Sequence, residues 1–578
     1  MSSIETPLPA GLAAGKSILS SPPEVTFLIV DYLPKKDILS LALTCRQLNA
    51  FAAQRLYRRM VIKPSYDVAK LSDLREEVCE LVQSIEFFPT KLADLDAFEA
   101  SIVEELEDEY YSSIDPEGSD PSAVDKGEKR STSLATPIFP NLQGVHLRGR
   151  DDRMRNLTTK LLEQCKSIKD LTLSFKQKFF PPMHCKEGME GQTNIERLSI
   201  RLAREKQIWG VPAPLSLKLE DVDPVWGLIK ANFGKLKVLN FEFPSDSFGM
   251  PRHFSSPSTL HLFPTAPGQW EERLQLRDLK LHNLEGLEEV YRKTKFFNPE
   301  VVEALSLVNC PESDNILLEL ASSMGKLKSL QLRYSVTNSQ TIQSLLQRLP
   351  PLETLHIALP RTLPFDRKWL DSQKHNIKHL WLEVIDNRES DRENFEDWTN
   401  LEELALTKYR SYTGRRSGIM CLKHLRIPAN LRIVRLLHGP ACSSAARYNE
   451  EQTHKMMELL AARQFRAMSA AFPKTPDGKR QRMCLKPKLE TFVMGTNHEY
   501  GYIYDQPKVL KLEFENTERL GKFKSSFSTT TTNKFAEDNP GTRMLGGVEA
   551  RGPWAWNGKY LTDGMNFCDE FVEDEYEL

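Results

Sequence analysis

The sequence predicts an α/β chain: a small three-helix module at the N-terminus, then a curved solenoid with one strand and one helix per repeat. Three observations predict it. At 578 residues the chain is too long for one ordinary core, so several domains or a repeat array are expected. Between Ser21 and Tyr57, apolar residues recur at three- and four-residue spacing in three short runs. Beyond that segment, one pattern, apolar-x-x-apolar-x-apolar, returns about a dozen times.

In the first run, Ser21 is expected to cap a helix, with Pro22 at its first position and Glu24 completing a capping box. Val25, Leu28, Ile29, Tyr32 and Leu33 form one apolar face, and Pro34 stops the helix because it lacks an amide donor. Asp37 is expected to cap a second helix carrying Ile38, Leu39, Leu41, Ala42, Leu43 and Cys45, the last read as a small buried hydrophobe. After Asn49 a third short helix offers Phe51, Leu56 and Tyr57. So small a bundle has little core, and several of its apolar residues should stay exposed for a partner.

The spelling Pro22-Pro23-Glu24-Val25, Asp31-Tyr32-Leu33-Pro34, Asp37-Ile38-Leu39, Leu43-Thr44-Cys45-Arg46-Gln47-Leu48-Asn49 and Leu56-Tyr57 resembles the F-box family, in its fungal-type form. The resemblance implies docking on a Skp-type adaptor and, through it, on a cullin. The residues at the family's adaptor-facing positions are Pro22, Pro23, Glu24, Leu33, Pro34, Leu41, Leu43 and Leu48. The family usually has Leu before the first proline, where this chain has Ser21.

Copies of the second pattern begin at Leu142, Ile168, Ile195, Leu236, Leu276, Val302, Leu327, Leu352, Ile377, Leu401 and Leu422, with further ones at Leu489 and Val509. From Val302 to Leu401 the step is about 25 residues. In each copy the last two apolar residues point to one face of a short strand, and the first packs in the turn before it. Helical patterns lie between: Leu157, Leu161 and Leu162; Ile316, Leu317 and Leu320; Ile342, Leu345, Leu346 and Leu349; and a helix opened by Asp223-Pro224 with Val225, Leu228 and Ile229. Stacked units of this kind share one core. The region resembles the longer leucine-rich repeats, with Cys310 at the position where that family carries Asn or Cys. The intervals before Leu236 and Leu276 leave room for insertions or missed repeats. Leu81-Val82-x-x-Ile85-x-Phe87 also looks strand-like. Arg333, His356 and Glu383 fall on the inner face and are candidates for target contact by position alone.

The expected organisation is a disordered N-terminus at 1–17, the F-box at 18–62 and the repeat solenoid at 63–437, with a disordered acidic insert at about 104–133. An irregular helical insertion follows at 438–487, with a helix around Met456, Leu459 and Leu460. Terminal repeats and a cap or tail occupy 488–578, with Trp554, Trp556, Tyr560 and Phe567 able to cover the last repeat. The Ser/Thr run from Ser525 to Asn533 reads as a flexible loop.

Composition narrows the function. Hydrophobic residues make up 40% and charged residues 27%, a soluble globular mixture. Lys and Arg (77) nearly balance Asp and Glu (79), so no global field argues for nucleic acid or membrane as a partner. No apolar run is long enough for a bilayer span or a secretory signal. Nine cysteines, an odd number without close pairing, read as reduced thiols in a cytoplasmic or nuclear protein.

Chemistry-bearing motifs are sparse. Gly15-Lys16-Ser17 ends a relaxed phosphate-loop spelling, but without the buried strand and helix that aim amides at phosphate. No CxxC, HExxH or GxSxG occurs, and His184-Cys185 has no third member. Lys408, Arg410, Arg415 and Arg416 with Tyr409 and Tyr412 read as a solvated loop, and Lys479-Arg480-Gln481-Arg482 as a surface basic run. No catalytic residue, cofactor or metal is expected. The resemblance implies the substrate-recognition adaptor of an SCF-type ubiquitin ligase, with an unnamed protein target on the solenoid. The alternatives are an F-box scaffold acting outside ubiquitination and an enzyme in the irregular region after His438.

Overall fold

A computed structural model of the chain describes residues 21–33, 35–62, 74–87, 139–147, 161–176, 192–203, 219–242, 258–259, 272–359, 363, 365–383, 394–407, 425–437, 460, 462–464, 488–494, 508–515 and 524–530. It is mixed α/β, with helices near the N-terminus followed by long runs of parallel strands. The chain divides into two compact units, Met1–Ser174 with Pro182–Ile195, and Phe175–Pro181 with Glu196–Leu578.

The first unit opens with α1 (Pro23–Tyr32), α2 (Lys35–Ala42) and α3 (Arg46–Tyr57). The helix starts differ from the sequence expectation. Pro22, not Ser21, is the N-cap of α1, and no side chain caps it. The cause is the proline pair: a residue before proline is driven out of the helical region, and Pro22 has ψ 144, so helix begins at Pro23. The Pro22 carbonyl then accepts from the amides of Val25 (3.0 Å) and Thr26 (3.1 Å). Leu33 ends α1 in an extended conformation, as the residue before Pro34 should. Asp37 lies in the first turn of α2 rather than capping it, where its charge suits the positive end of the helix dipole. The third helix starts at Arg46 rather than after Asn49, and Cys45 is its half-buried N-cap, its Sγ accepting from the Leu48 amide at 3.5 Å.

One residue, Arg58, separates α3 from β1 (Arg59–Ile62). After α4 (Glu76–Leu81) come β2 (Ser84–Phe87), β3 (Gly144–Leu147) and β4 (Asp170–Lys176), paired in parallel in that order. The strand-like reading of Val82 to Phe87 is therefore β2. β1 does not stand out in the sequence, because Arg58 and Arg59 interrupt the apolar run that would mark it. The same backbone step joins each pair: the Gln83 amide donates to the Arg58 carbonyl (2.9 Å), Gln143 to Gln83 (2.8 Å) and Lys169 to Gln143 (2.7 Å).

The second unit holds β5 (Arg197–Ala203), α5 (Leu219–Ala231), β6 (Val238–Glu242), β7 (Ser258–Thr259), β8 (Asp278–His282), β9 (Leu284–Glu285) and α6 (Leu287–Thr294). There follow β10 (Ala304–Val308), α7 (Asp314–Ala321), β11 (Ser329–Arg333), α8 (Ser339–Arg348), β12 (Thr354–Ala358), β13 (His379–Glu383), β14 (Glu403–Thr407) and β15 (Ile433–Leu437). β16 (Thr491–Met494), β17 (Lys508–Glu515) and β18 (Lys524–Thr530) complete it.

The main strands pair in parallel in chain order from β5 to β16, with β7 and β9 forming a separate short pair. Since β6 pairs directly with β8, the long interval before Leu276 holds an insertion and not a missed strand of this sheet. The interval before Leu236 is likewise an insertion, because β5 pairs directly with β6. Described pattern residues from Ile168 to Leu406 are buried, and the helices supply the matching apolar faces, such as Ile316, Leu317 and Leu320 on α7 and Ile342, Leu345 and Leu346 on α8. α5 begins at Leu219, one turn before Asp223-Pro224, so the proline lies within the helix and only the Glu220 carbonyl forfeits its donor.

Two buried-pattern readings change. The copy at Leu422 is not a strand. Leu425 and Ile427 are buried, but Arg426 bridges to Asn394 in the preceding connection. The strand is β15, marked by Leu431-Val434-Leu436, and its place is fixed by Asn430, whose Nδ2 donates to the Thr399 carbonyl. Asn400 makes the same bond to His375, Asn194 to Lys166 and Asn141 to Glu80, in each case from the residue before the pattern's first apolar position. The other change is at the end. β17, which holds the Val509-Leu512-Phe514 copy, runs antiparallel to β16, and the Ser/Thr run is no loop through Thr530 but strand β18, antiparallel to β17. Thr and Ser side chains accept an extended backbone readily once a neighbouring edge supplies the hydrogen bonds.

The N-terminal 1–17 segment, the acidic insert, Met456 and Leu459, the basic runs, His184-Cys185 and the tail aromatics lie outside the described residues. Among the described residues no helix is long and apolar enough to cross a membrane.

Candidate protein-docking site

The helical module closes on a core of Val30, Ile38 and Ala52, with Leu33, Leu41, Ala42, Phe51 and Leu56 packed against it. Phe27 meets Phe51 edge-on at 4.7 Å, tying α1 to α3. α1 is apolar nearly all round, so one of its faces had to remain outside. Thr26 and Val30 face inward, while Val25, Leu28 and Ile29 are exposed. The stripe that periodicity marks as the apolar face of α1 is thus the one left at the surface. Leu39 on α2, Leu43 after it and Tyr57 at the end of α3 are also exposed, with Leu43 the extreme at 87% and Leu28 at 58%. Among the described residues, every large exposed apolar side chain belongs to this module.

The turn that displays Leu43 is fixed by hydrogen bonds. The Leu43 amide donates to Ser40 (3.2 Å) and the Thr44 amide to Leu41 (3.1 Å). The Thr44 hydroxyl donates to the Leu41 carbonyl at 2.7 Å, and Asn49 Nδ2 reaches back to the Ala42 carbonyl at 2.9 Å. The last carbonyls of α2 are therefore satisfied without burying Leu43.

The residues expected to face an adaptor fall into two groups. Pro22, Pro23, Glu24 and Leu43 are exposed. Leu33 and Leu41 pack half-buried against the core, and Leu48 is buried, so these three hold the shape of the module. Pro34 lies outside the described residues. Sequence reasoning places Val25, Leu28 and Ile29 on one face and expects some apolar residues of the module to stay exposed, without telling which. The signal was the Thr26–Val30–Leu33 spacing, which makes a competing inward stripe.

The module is joined firmly to β1 and β2. Arg58 Nε donates to Gln83 Oε1 at 2.8 Å, and Arg59 forms an ion pair with Glu86, whose side chain is almost fully buried.

The strand region offers a different surface. His356, a candidate target contact by position, is only 2% exposed. It lies in a buried row that crosses the strands: the Ser306 hydroxyl donates to Gln331 Oε1, and Gln331 Nε2 lies 3.3 Å from His356 Nδ1. The His356 ring stacks on Trp381 with centroids 4.8 Å apart, and the Arg435 guanidinium lies 4.9 Å from the Trp381 centroid. Ala405, between Trp381 and Arg435 in register, leaves the room for that approach. Arg333 is half-buried.

Titratable groups here are shifted by burial. Asp278 is pushed up to about 7 by burial, against the pull of Arg197. Burial raises the Cys79 and Cys165 thiols and takes Cys310 to about 12, leaving them protonated and inert as nucleophiles. Cys310 Sγ instead donates to the Leu281 carbonyl at 3.2 Å, and its amide donates to Ser335 Oγ at 3.0 Å. Ser335 occupies the matching position one repeat on, its hydroxyl donating to the Arg333 carbonyl at 3.0 Å. Among the described residues no group of three His, Cys, Asp or Glu side chains could hold a metal ion.

No curated protein matches the chain. Residues 22–63 match the family model described as F-box-like, the segment that contains α1, α2, α3 and β1, so the N-terminal module is an F-box-like domain of the kind that binds Skp-type adaptors in SCF-type ubiquitin ligases.

Proposed function

We propose that the chain is the target-recognition subunit of an SCF-type, cullin-RING ubiquitin ligase, cytoplasmic or nuclear, and itself catalyses nothing. Its F-box-like module docks on a Skp-type adaptor, which holds the cullin, and its strand region holds a protein target. Rate is then gained by effective concentration. The observation that carries this reading is that, among the described residues, the large exposed apolar side chains Val25, Leu28, Ile29, Leu39, Leu43 and Tyr57 all lie in the module matched by the family model. Apolar side chains held out of a core by a fixed turn are what a partner surface requires.

The strand region is read as leucine-rich repeats. Support comes from main-sheet strands paired in parallel in chain order up to β16, buried apolar triplets from Ile168 to Leu406, and helices between several of them. Cys310 and Ser335, capping the strand ends through their side chains, agree with that reading.

The test is co-purification of the full-length chain with a Skp-type adaptor, beside Leu28→Ala/Leu43→Ala. Burying a leucine contributes about 1.5–3 kcal/mol, so losing two should weaken capture by about 100-fold or more while the circular dichroism spectrum is unchanged. Failure of folded wild-type protein to capture any adaptor would sink the reading. Capture with no loss of target ubiquitination in the double variant would favour a scaffold acting outside ubiquitination.

A further inference from the structure

Resting on the repeat reading of the strand region, we infer that Gln192, Gln373 and Gln464 are one device, a buried amide that clips a repeat closed. The stretch around Gln464 is then the outer arm of the β15 repeat and not an insertion. All three side chains are sealed, Gln192 and Gln464 at 0% and Gln373 at 2% exposure. Each follows a strand and turns its amide back to carbonyls that precede that strand. After β4, Gln192 Nε2 donates to the carbonyls of Leu162 (2.5 Å) and Cys165 (3.0 Å). After β12, Gln373 Nε2 donates to those of Leu346 (3.1 Å) and Leu349 (3.3 Å), at the end of α8. After β15, Gln464 Nε2 donates to those of Leu431 (2.6 Å), Ala429 (3.2 Å) and Pro428 (3.4 Å).

At the other end of the side chain, Gln373 Oε1 accepts from the Leu352 amide at 2.9 Å and Gln464 Oε1 from the Leu489 amide at 2.8 Å. Leu352 and Leu489 each hold the first apolar position of a repeat. A backbone carbonyl only accepts and a backbone amide only donates, so both ends of Gln373 and of Gln464 are assigned by their partners. Backbone groups at such a junction lie away from water and must be paired within the protein. A primary amide offers two donors and an acceptor without bringing in a charge.

Gln464 differs from Gln373 in what it joins. Gln373 ties the end of α8 to the entry of β12, whereas Gln464 ties the entry of β15 to the entry of β16. Beside it, Arg463 Nη1 donates to the Leu425 carbonyl at 2.9 Å, and Leu460 is fully buried. β16 is thus fastened through this side chain as well as through its pairing with β15. Leu460 and Gln464, on which a separate fold after His438 would draw for a core, are spent on the repeat.

The test is hydrogen exchange on the full-length chain, corrected for the intrinsic rate, with wild type beside Gln464→Leu and Gln373→Leu. Leaving a buried amide and carbonyls unpaired should lower the protection of Leu489 and of the β15 and β16 amides by about 10- to 100-fold in Gln464→Leu, with β10 to β12 unchanged. Gln373→Leu should lower Leu352 and β12 by a similar factor. An effect of Gln373→Leu alone would overturn the assignment of Gln464 and return its stretch to an insertion. No effect of either, with β10 to β12 well protected in wild type, would overturn the clip and leave the repeats standing. Weak protection of those strands in wild type would instead sink the repeat reading. Should Gln464→Leu fold poorly, Gln464→Glu decides. Ionised, its carboxylate sets an oxygen against the Leu431 carbonyl; protonated, it donates there again. Its Leu489 protection should therefore recover towards wild type as pH falls from about 7.5 to about 5.5, burial having raised the glutamate pKa. A deficit that stays constant with pH would overturn the clip.

Discussion

In the helical module, leucines such as Leu28 and Leu43 stand in solvent while a hydroxyl-bearing residue, Thr26, is buried. In the strand region the leucines are sealed, and polar side chains such as Ser306, Gln331 and His356 are buried with them, joined to one another. A module of three helices with Val30, Ile38 and Ala52 at its centre has apolar surface in excess of what its core can take, and the excess becomes a docking face. A stack of parallel strands shares its core along the chain, so its apolar residues are used for stability. What it can offer a partner at the described surface is polar.

Truncation tests that difference most strongly. Leu355→Ala, at a fully buried position of β12, should destabilise the strand region by about 2–5 kcal/mol, whereas Leu43→Ala should leave stability within about 0.5 kcal/mol. Urea titration followed by hydrogen exchange over β11 to β13 would measure both. Comparable losses from the two substitutions would mean that Leu43 is part of a core and not of a docking face.

Asp278 sharpens the comparison from the polar side. Its carboxyl is 6% exposed and pushed up to about 7 from an ordinary value of 3.8, chiefly by burial. The folded chain therefore holds a proton that the unfolded chain releases between those values. Its contribution is fully present below about pH 4 and is lost as pH rises to 7, a change on the order of 4 kcal/mol. Asp278→Asn should remove that slope, so that the variant gains stability over wild type between pH 5 and 8. A pH profile parallel to wild type would show that the folded carboxyl titrates as it does in the unfolded chain.

How much of this was legible in the sequence depends on what periodicity can report. It reports which residues are apolar at a given spacing, and so it located α1, α7, α8 and the strands β3 to β6, β8 and β10 to β14. It does not say which side of a helix meets a core, and so it marks the apolar stripe of α1 without telling that this stripe is among the residues left exposed. Nor does it separate a buried strand from a buried connection. Leu425 and Ile427 fit the strand pattern, yet the sheet passes through Ile433–Leu437. The information that decides this is the bond from Asn430 to Thr399, whose significance depends on a neighbour 31 residues away. The helix starts were misplaced by local rules in competition: Ser21 can cap, but the Pro22-Pro23 pair fixes the first turn. His356 was correctly placed in register and wrongly taken for a surface residue, because alternation along a strand does not reveal what lies over each face.

The smallest expected effect concerns a charge row at the edge of the sheet, which periodicity also hides. One residue after the pattern's first apolar position stand Glu303, Lys328, Glu353, Lys378, Glu402, Arg432 and Glu490, alternating in sign from one repeat to the next. Their amides form one hydrogen-bonded series, each donating to the carbonyl of the residue before it in the row. Lys328 lies 3.3 Å from Glu303, Lys378 3.0 Å from Glu353 and Arg432 2.8 Å from Glu490. All are partly exposed, so each pair contributes at most about 1 kcal/mol. The alternation acts chiefly on register, since a strand paired out of order would set like charges side by side. Glu353→Lys places three cations in a row with Lys328 and Lys378, and should cost about 0.5–1 kcal/mol at low ionic strength. In 1 M salt the screening length falls to about 3 Å and most of that loss should disappear. A loss that persists in high salt would assign the effect to packing at the Leu352–Thr354 turn, and the charge row would then have no part in ordering the strands.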